Sequence, residues 1–209
     1  MGDVIEPAPS GRSKCRGCQR KIDKGELRYG EAVPNAFGAG DALHWYHPRC
    51  GAERRSEPFA AALEAHEGDV PERAELAELA AVGVAHPRWC RLARAERAPS
   101  GRARCQHCRD LIEKDALRIA LERVEDGMTN PAGFVHVRCA GSYAGSTVGL
   151  LERLRRSSSG PKSTFTPDDW DAIAQELDAP TTESPAGDGD DTDGDDTDDD
   201  ESAPARDTD

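Results

Sequence analysis

The stretch Ser10-Gly11-Arg12-Ser13-Lys14-Cys15-Arg16-Gly17-Cys18 decides how this chain is read. It returns ninety residues later as Ser100-Gly101-Arg102-Ala103-Arg104-Cys105-Gln106-His107-Cys108. The same offset pairs Ile22 with Ile112, Lys24 with Lys114, Leu27 with Leu117 and Arg28 with Arg118. An offset of 89 then pairs His47 with His136, Arg49 with Arg138 and Cys50 with Cys139. Each unit therefore has the same beginning and the same end, joined by a loop that differs by one residue. Self-similarity at a fixed period identifies a duplicated structural unit before any fold is assigned.

The chain has seven cysteines, and six of them fall inside the repeat. The first unit reads Cys15-x2-Cys18, then His47-x2-Cys50. The second reads Cys105-x2-Cys108, then His136-x2-Cys139. A two-residue spacer lets both thiolates of one turn reach a single ion, and zinc takes four such S or N ligands in a tetrahedron. Two complete sets predict two structural Zn2+ ions, each closed by four protein ligands. Disulfides are the alternative, and they account for neither the histidine in each set nor its regular spacing. The repeat also selects between histidines. His44 aligns with Gly133 and His107 with Gly17, so only His47 and His136 match each other. Cys90 has no Cys-x2-Cys before it and reads as a linker or packing residue.

Composition sets the scale of what such units can build. Of 209 residues, 36% are hydrophobic and 5% aromatic, too few for ordinary cores of this length. Small, core-poor domains depend on metals or disulfides, which argues against a large catalytic domain and for no enzyme. The chain contains no run of about 18 apolar residues, so no membrane association is expected. The start of the chain lacks a basic-then-apolar leader, so an intracellular protein is expected. Arg outnumbers Lys 22 to 5, which points to a GC-rich, bacterial genome and a nucleoid or cytoplasmic location. A eukaryotic protein of this kind would be nuclear.

The net charge of −13 is unevenly distributed. Residues 180–209 hold 13 Asp or Glu against one Arg, whereas residues 10–55 carry +5 and 100–156 carry +3. Residues 88–99 add +3, and residues 56–87 carry −6. Basic segments separated by an acidic one, followed by a polyanionic tail, suit a nucleic-acid partner. Arg12, Lys14, Arg16, Arg20, Lys21, Lys24 and Arg28 surround the first Cys pair. Arg102, Arg104, Arg109, Lys114 and Arg118 surround the second. Trp45 alternates with Tyr46 along a strand and reads as small-core packing, with Phe134 as its smaller counterpart.

The pattern predicts small α+β zinc-stabilised modules: two tandem Cys-Cys-His-Cys zinc fingers plus a disordered acidic C-terminal tail. Short strands are expected at Leu27–Tyr29 and Leu43–His47. Helices are expected at Pro71–Val82, ended by Gly83, and at Ser146–Arg156. A further helix is capped by Thr166 with Pro167 next, buries Trp170, Ile173 and Leu177, and stops at Pro180. Residues 88–99 read as a basic linker. Residues 180–209 are rich in Asp, Gly and Thr and cannot offset the entropy of folding.

Ser-Gly-Arg-x2-Cys-x2-Cys, then Ile22-x-Lys24-x2-Leu27-Arg28, then His44-Trp45-Tyr46-His47-x2-Cys50, resembles the poly(ADP-ribose) polymerase-type zinc finger. The second unit is similar, with Phe134-Val135 replacing Trp45-Tyr46. The resemblance implies fingers at 6–87 and 96–178 without the catalytic domain. It also implies a zinc-dependent DNA-binding protein, concerned with repair or transcription, that recognises breaks, nicks or structured DNA with little sequence preference. It assigns phosphate contacts to Arg12, Arg28, Arg102 and Arg118, flanked by Lys14 and Arg104, and base stacking to Phe37. In the second unit the corresponding loop offers Met128 and Pro131. The alternative reading is a zinc-finger protein-interaction adaptor, with the acidic tail as its docking segment for protein partners.

The tail yields a first prediction. A tethered polyanion competes with DNA phosphate at high effective concentration, and exposed charges are screened within about 10 Å at 0.1 M salt. A chain ending at Ala179 is expected to bind DNA more tightly than the full chain at low salt, with the difference shrinking as salt rises. Equal affinities in a low-salt titration would remove the competitive role.

Overall fold

The computed structural model describes residues 2–35, 38–125, 127–158 and 165–178. It consists of two three-stranded antiparallel sheets, each followed by helices. Strand β1 (Val4–Pro7) pairs with β2 (Leu27–Pro34), which pairs with β3 (Asp41–Tyr46). The second unit repeats this with β4 (Leu92–Arg97), β5 (Leu117–Glu125) and β6 (Met128–His136). Three short helices follow the first sheet: α1 (Pro48–Arg54), α2 (Ser56–Ala65) and α3 (Arg73–Ala85). Three follow the second: α4 (Ala140–Ala144), α5 (Leu150–Ser158) and α6 (Pro167–Asp178).

Alternation along the strands divides each sheet into two faces. In the first sheet Tyr29 faces the helices, with its ring 5.2 Å from that of Phe59 in an edge-on packing. Burial raises the Tyr29 hydroxyl far above its ordinary pKa, and that hydroxyl donates to Asp3. Gly51 in α1 permits this packing, because a Cβ there would lie 2.7 Å from Tyr29 and 2.8 Å from Phe59. On the other face Glu6 is opposite Arg28 and Gly30 is opposite Trp45. The Arg28 guanidinium lies 3.3 Å from the centre of the Trp45 ring and bonds to Glu6. The second sheet builds the same stack from Glu96, Arg118 and Phe134, with the guanidinium 3.4 Å from the ring centre. A Cβ on Gly30 would sit 2.6 Å from the Trp45 ring. The smaller Phe134 lies opposite Ala120, so ring size and neighbour size change together.

Several sequence expectations are corrected. Residues 88–99 are not a free linker: Trp89–Arg91 form a 3-10 turn and Leu92–Arg97 are β4, the first strand of the second sheet. Gly83 does not end its helix. It is buried within α3, where a Cβ would lie 2.6 Å from Ser56 Cβ and 2.9 Å from Cys90 Sγ. Helices α1 and α2 were not anticipated. The helix expected at Ser146–Arg156 begins later, at Leu150. Thr166 does open α6, in a reciprocal cap: its N–H donates to Asp169 Oδ2 at 2.9 Å, and Asp169 N–H donates to Thr166 Oγ1 at 3.3 Å. This is the capping-box pattern. Pro180 and the acidic segment 180–209 lie outside the described residues.

The two units share one core. Trp89 is fully buried, and its 3-10 turn packs against α1, α3 and β5. Arg153 of α5 is 1% exposed and lies with its guanidinium 4.8 Å from the Trp89 ring. It donates to the carbonyls of Trp89 at 2.9 Å and Cys90 at 2.7 Å. Its burial lowers its pKa to about 10, far enough above neutrality to leave it charged. Cys90 is thus a packing residue, with its sulfur 3.3 Å from Ser56 Oγ. Truncating a buried Trp leaves a cavity that costs about 3–5 kcal/mol. Trp89→Ala is therefore expected to lower stability by about that amount in a single unfolding transition. Two separate transitions, one of them unshifted, would contradict a shared core.

Candidate metal centres and basic knuckles

Each cluster is assembled from three pieces of chain. In the first unit Cys15 and Cys18 lie in a tight turn, the knuckle, between the bridged residues Lys14 and Lys21. His47 follows β3, and Cys50 lies in the first turn of α1. In the second, Cys105 and Cys108 form the knuckle, His136 ends β6, and Cys139 ends a 3-10 turn. The ligand atoms of each set lie within 4.8 Å of one another. Zn–S and Zn–N bonds of about 2.3 and 2.0 Å place tetrahedral S and N ligands roughly 3.6 Å apart. Cys18 Sγ and His47 Nδ1 are 3.4 Å apart, as are Cys108 Sγ and His136 Nδ1. The donor sets fit zinc, and both histidines turn Nδ1 toward the ion site.

Backbone groups support the sulfurs. His47 N–H points at Cys15 Sγ, and the N–H groups of His107 and His136 point at Cys105 Sγ, each at 3.4 Å. Against the opposing effect of burial, these donors keep the Cys105 thiol below its ordinary pKa. Contacts with Cys15 and then Cys50 pull the Cys18 thiol strongly down, whereas contacts with Cys15 and Cys18 push Cys50 strongly up. Hydrogen bonding to Cys15 and Cys18 raises His47 to about 10. Burial pushes His136 down and Cys139 up to about 12. The crowded clusters retain protons that a divalent cation displaces, so metal affinity falls as pH falls. The first ligand histidine is also held from behind: His47 Nε2 lies 3.6 Å from Glu26 Oε1. Such outer partners fix ring orientation and donor strength. His44 and His107 lie outside both clusters.

The tight Cys-x2-Cys turn also explains a difference between the units. A Cβ on Gly17 would lie 2.9 Å from Cys50 Cβ. The second unit has His107 there, with its fourth cysteine on a 3-10 turn rather than in an α-helix.

The basic residues separate into two groups. Arg12, Lys14, Arg16, Arg20 and Lys24 are exposed around the first knuckle, and Arg102, Arg104, Arg109 and Lys114 around the second. Among the described residues none of these nine forms an ion pair. Arg28 and Arg118 are 6% and 5% exposed, each paired to a carboxylate and stacked on a ring. The expectation of open phosphate contacts at these two positions is corrected: each guanidinium is already occupied on both sides. Trp45 and Phe134 pack partly buried against the core. Phe37 lies outside the described residues. Met128, its candidate counterpart, is 62% exposed at the start of β6.

Two closed Cys3His clusters on small α+β units define a tandem zinc-finger protein. Residues 6–81 match the family model described as the poly(ADP-ribose) polymerase and DNA-ligase Zn-finger region, so the first unit is similar to fingers of that type. The second unit repeats its ligand set and its sheet. Poly [ADP-ribose] polymerase 1 of Gallus gallus is 43% identical over 56 residues, which cover 26% of this chain and 6% of the relative. Poly [ADP-ribose] polymerase of Sarcophaga peregrina is 29% identical over 134 residues, covering 55% and 13%. The Xenopus laevis poly [ADP-ribose] polymerase 1 is 38% identical over 56 residues, covering 26% and 6%. The chain thus spans between 6% and 13% of the length of these curated relatives.

Metal removal tests the centres. Elemental analysis is expected to give two zinc ions per chain, and Cys15→Ala one. With independent units this variant would unfold only the first finger. The shared core changes that expectation: loss of the first ion is expected to lower the melting temperature of both units. A variant that retains two ions would refute the ligand assignment.

Proposed function

We propose that the protein is a zinc-dependent, non-catalytic DNA-binding protein that recognises breaks, nicks or structured DNA with little sequence preference. The observation that carries this reading is the set of nine exposed cations, free of ion pairs among the described residues, on two metal-fixed knuckles. Cations on a rigid scaffold suit phosphate, which supplies the sequence-independent part of DNA affinity. Four protein ligands per ion leave no open coordination position for a substrate, which favours structural over catalytic zinc. The family of the first finger, named for poly(ADP-ribose) polymerases and DNA ligases, supports a DNA-strand partner. Among the described residues no helix is long and apolar enough to cross a membrane. A nucleoid or cytoplasmic location belongs to the same proposal, as does recruitment of basic protein partners by the acidic tail.

Arg12→Ala together with Arg102→Ala tests this reading, because both positions are exposed and neither supports the fold. Zinc content is expected to remain at two ions. Affinity for nicked and blunt duplex in a gel shift is expected to fall. The dependence of log affinity on log salt is expected to flatten by about one unit per lost phosphate contact. Unchanged affinity and slope in the double variant would favour the protein-adaptor reading.

A further inference from the structure

Helix α5 of the second unit reaches the first metal centre. The units meet along charged seams: Arg54 of α1 pairs with Glu122 of β5, and Glu53 of α1 pairs with Arg156 of α5. Glu53 follows Cys50 by three residues in α1. Residues three apart on a helix are neighbours on one face, with Cβ atoms about 5–6 Å apart. A guanidinium bonded to Glu53 is thereby brought beside Cys50, and His47, Cys50 and Arg156 line one cavity. Arg153, one turn earlier on α5, is committed to the carbonyls of Trp89 and Cys90. Arg156 has bonding capacity left, because its Nε is buried and makes no hydrogen bond among the described residues. Burial opposes its charge, but Glu53 and then the Cys50 sulfur outweigh that effect and raise its pKa.

The two centres differ in how their charge is met. Three thiolates and a neutral histidine around Zn2+ leave one net negative charge, which is costly to bury without a partner. All three cysteines of the first set are buried, so water reaches that charge poorly. In the second set Cys108 is partly exposed, and water can solvate the charge there. The repeat carries the same difference. At the offset of 89 that pairs His47 with His136 and Cys50 with Cys139, Glu53 corresponds to Ser142, and Arg49 to the exposed Arg138. At that position the second unit has no carboxylate to hold a guanidinium beside its last cysteine.

We propose that Arg156 is the charge-balancing partner of the first zinc–thiolate centre, supplied across the seam by the second unit, so that retention of the first ion depends on the docking of α5. Linkage is reciprocal, so an ion in the first site strengthens the docking of α5 by the same factor. The seam thereby couples metal content to the union of the two units. Arg156 acts through Cys50 and is a positioning residue of the metal site.

Chelator competition on the full chain tests this, with alkylation of the released thiols and mass spectrometry showing which cysteines lost their ion. Arg156→Gln is expected to weaken retention of the first ion about tenfold, the scale of an outer partner of a metal ligand, and to leave the second ion unchanged. That variant also leaves Glu53 buried and unpaired, so Glu53→Gln combined with Arg156→Gln separates the two causes. The double variant is expected to keep the tenfold loss. Glu53→Gln alone, whose amide oxygen can still accept from the guanidinium, is expected to hold the first ion as the unaltered chain does. Arg156→Lys keeps the positive charge and is expected to restore most of the retention. In the cobalt-substituted double variant, the sulfur-to-cobalt absorption of one ion is expected to move to longer wavelength, because its thiolates lose a neighbouring cation. Unaltered retention in the double variant, equal weakening of both ions in Arg156→Gln, or an unshifted cobalt band would each overturn the proposal.

Discussion

A tetrahedral zinc ion needs four ligands, and in each unit these come from three separate places: a knuckle, a strand end and the helical turn that follows. Satisfying that geometry fixes where the sheet ends relative to the knuckle and where the first helix begins. The tight turn that brings Cys15 and Cys18 together also brings Gly17 against Cys50. Structural zinc supplies folding free energy that a small core lacks, on the order of 10 kcal/mol for isolated fingers at neutral pH. The low aromatic content of 5% is consistent with a metal replacing part of the core. Four-fold protein ligation also confines the ion to a structural role and leaves binding to the surrounding surface.

The two buried guanidiniums show a second constraint, one of charge rather than of metal geometry. Arg28 and Arg118 each lie between a carboxylate and an aromatic ring on the face of the sheet away from the Tyr29 packing. A guanidinium tolerates this position because it is weakly hydrated, planar and able to stack. Lysine at either position would lose the flat ring contact. Each stack ties the three strands of a sheet together, since the carboxylate, guanidinium and ring come from successive strands. Residues that look like phosphate contacts from their place in a basic cluster are therefore tie points of the fold.

The ligand sets were legible in the sequence because spacing alone encodes them, and the repeat decided between His44 and His47. Part of the Glu–Arg–ring stack was also legible: Glu6 and Glu96 obey the same offset of ninety, and extending the repeat upstream of Ser10 would have exposed them. Strand β4 was hidden because two of its three buried residues, Ala93 and Ala95, are small and stand next to Arg94, Glu96 and Arg97, leaving Leu92 as its one large apolar side chain. A segment of alternating alanine and charge resembles a linker by hydropathy. The seam between the units could not be read at all. Glu53 and Arg156 are about a hundred residues apart, and Glu122 has no feature in sequence that singles out Arg54. Gly83 misled for a related reason: glycine at a helix end and glycine under a crossing side chain look identical until the neighbour is known.

The fold also sorts charge in a way that total composition conceals. The seven acidic residues between 56 and 87 are all exposed on or beside α2 and α3. Nine exposed cations, without ion pairs among the described residues, lie instead around the two knuckles. Residues 1–179 carry almost no net charge, so long-range attraction to a polyanion is weak. At about 10 Å, one Debye length in 0.1 M salt, the local pattern dominates. A polyanion approaching from the α2–α3 side meets like charge, whereas one approaching the knuckles meets the nine exposed cations. The result is orientation rather than non-specific adhesion. Arg54 and Arg94 are neutralised by Glu122, and Arg156 by Glu53, so these three guanidiniums add little to that field.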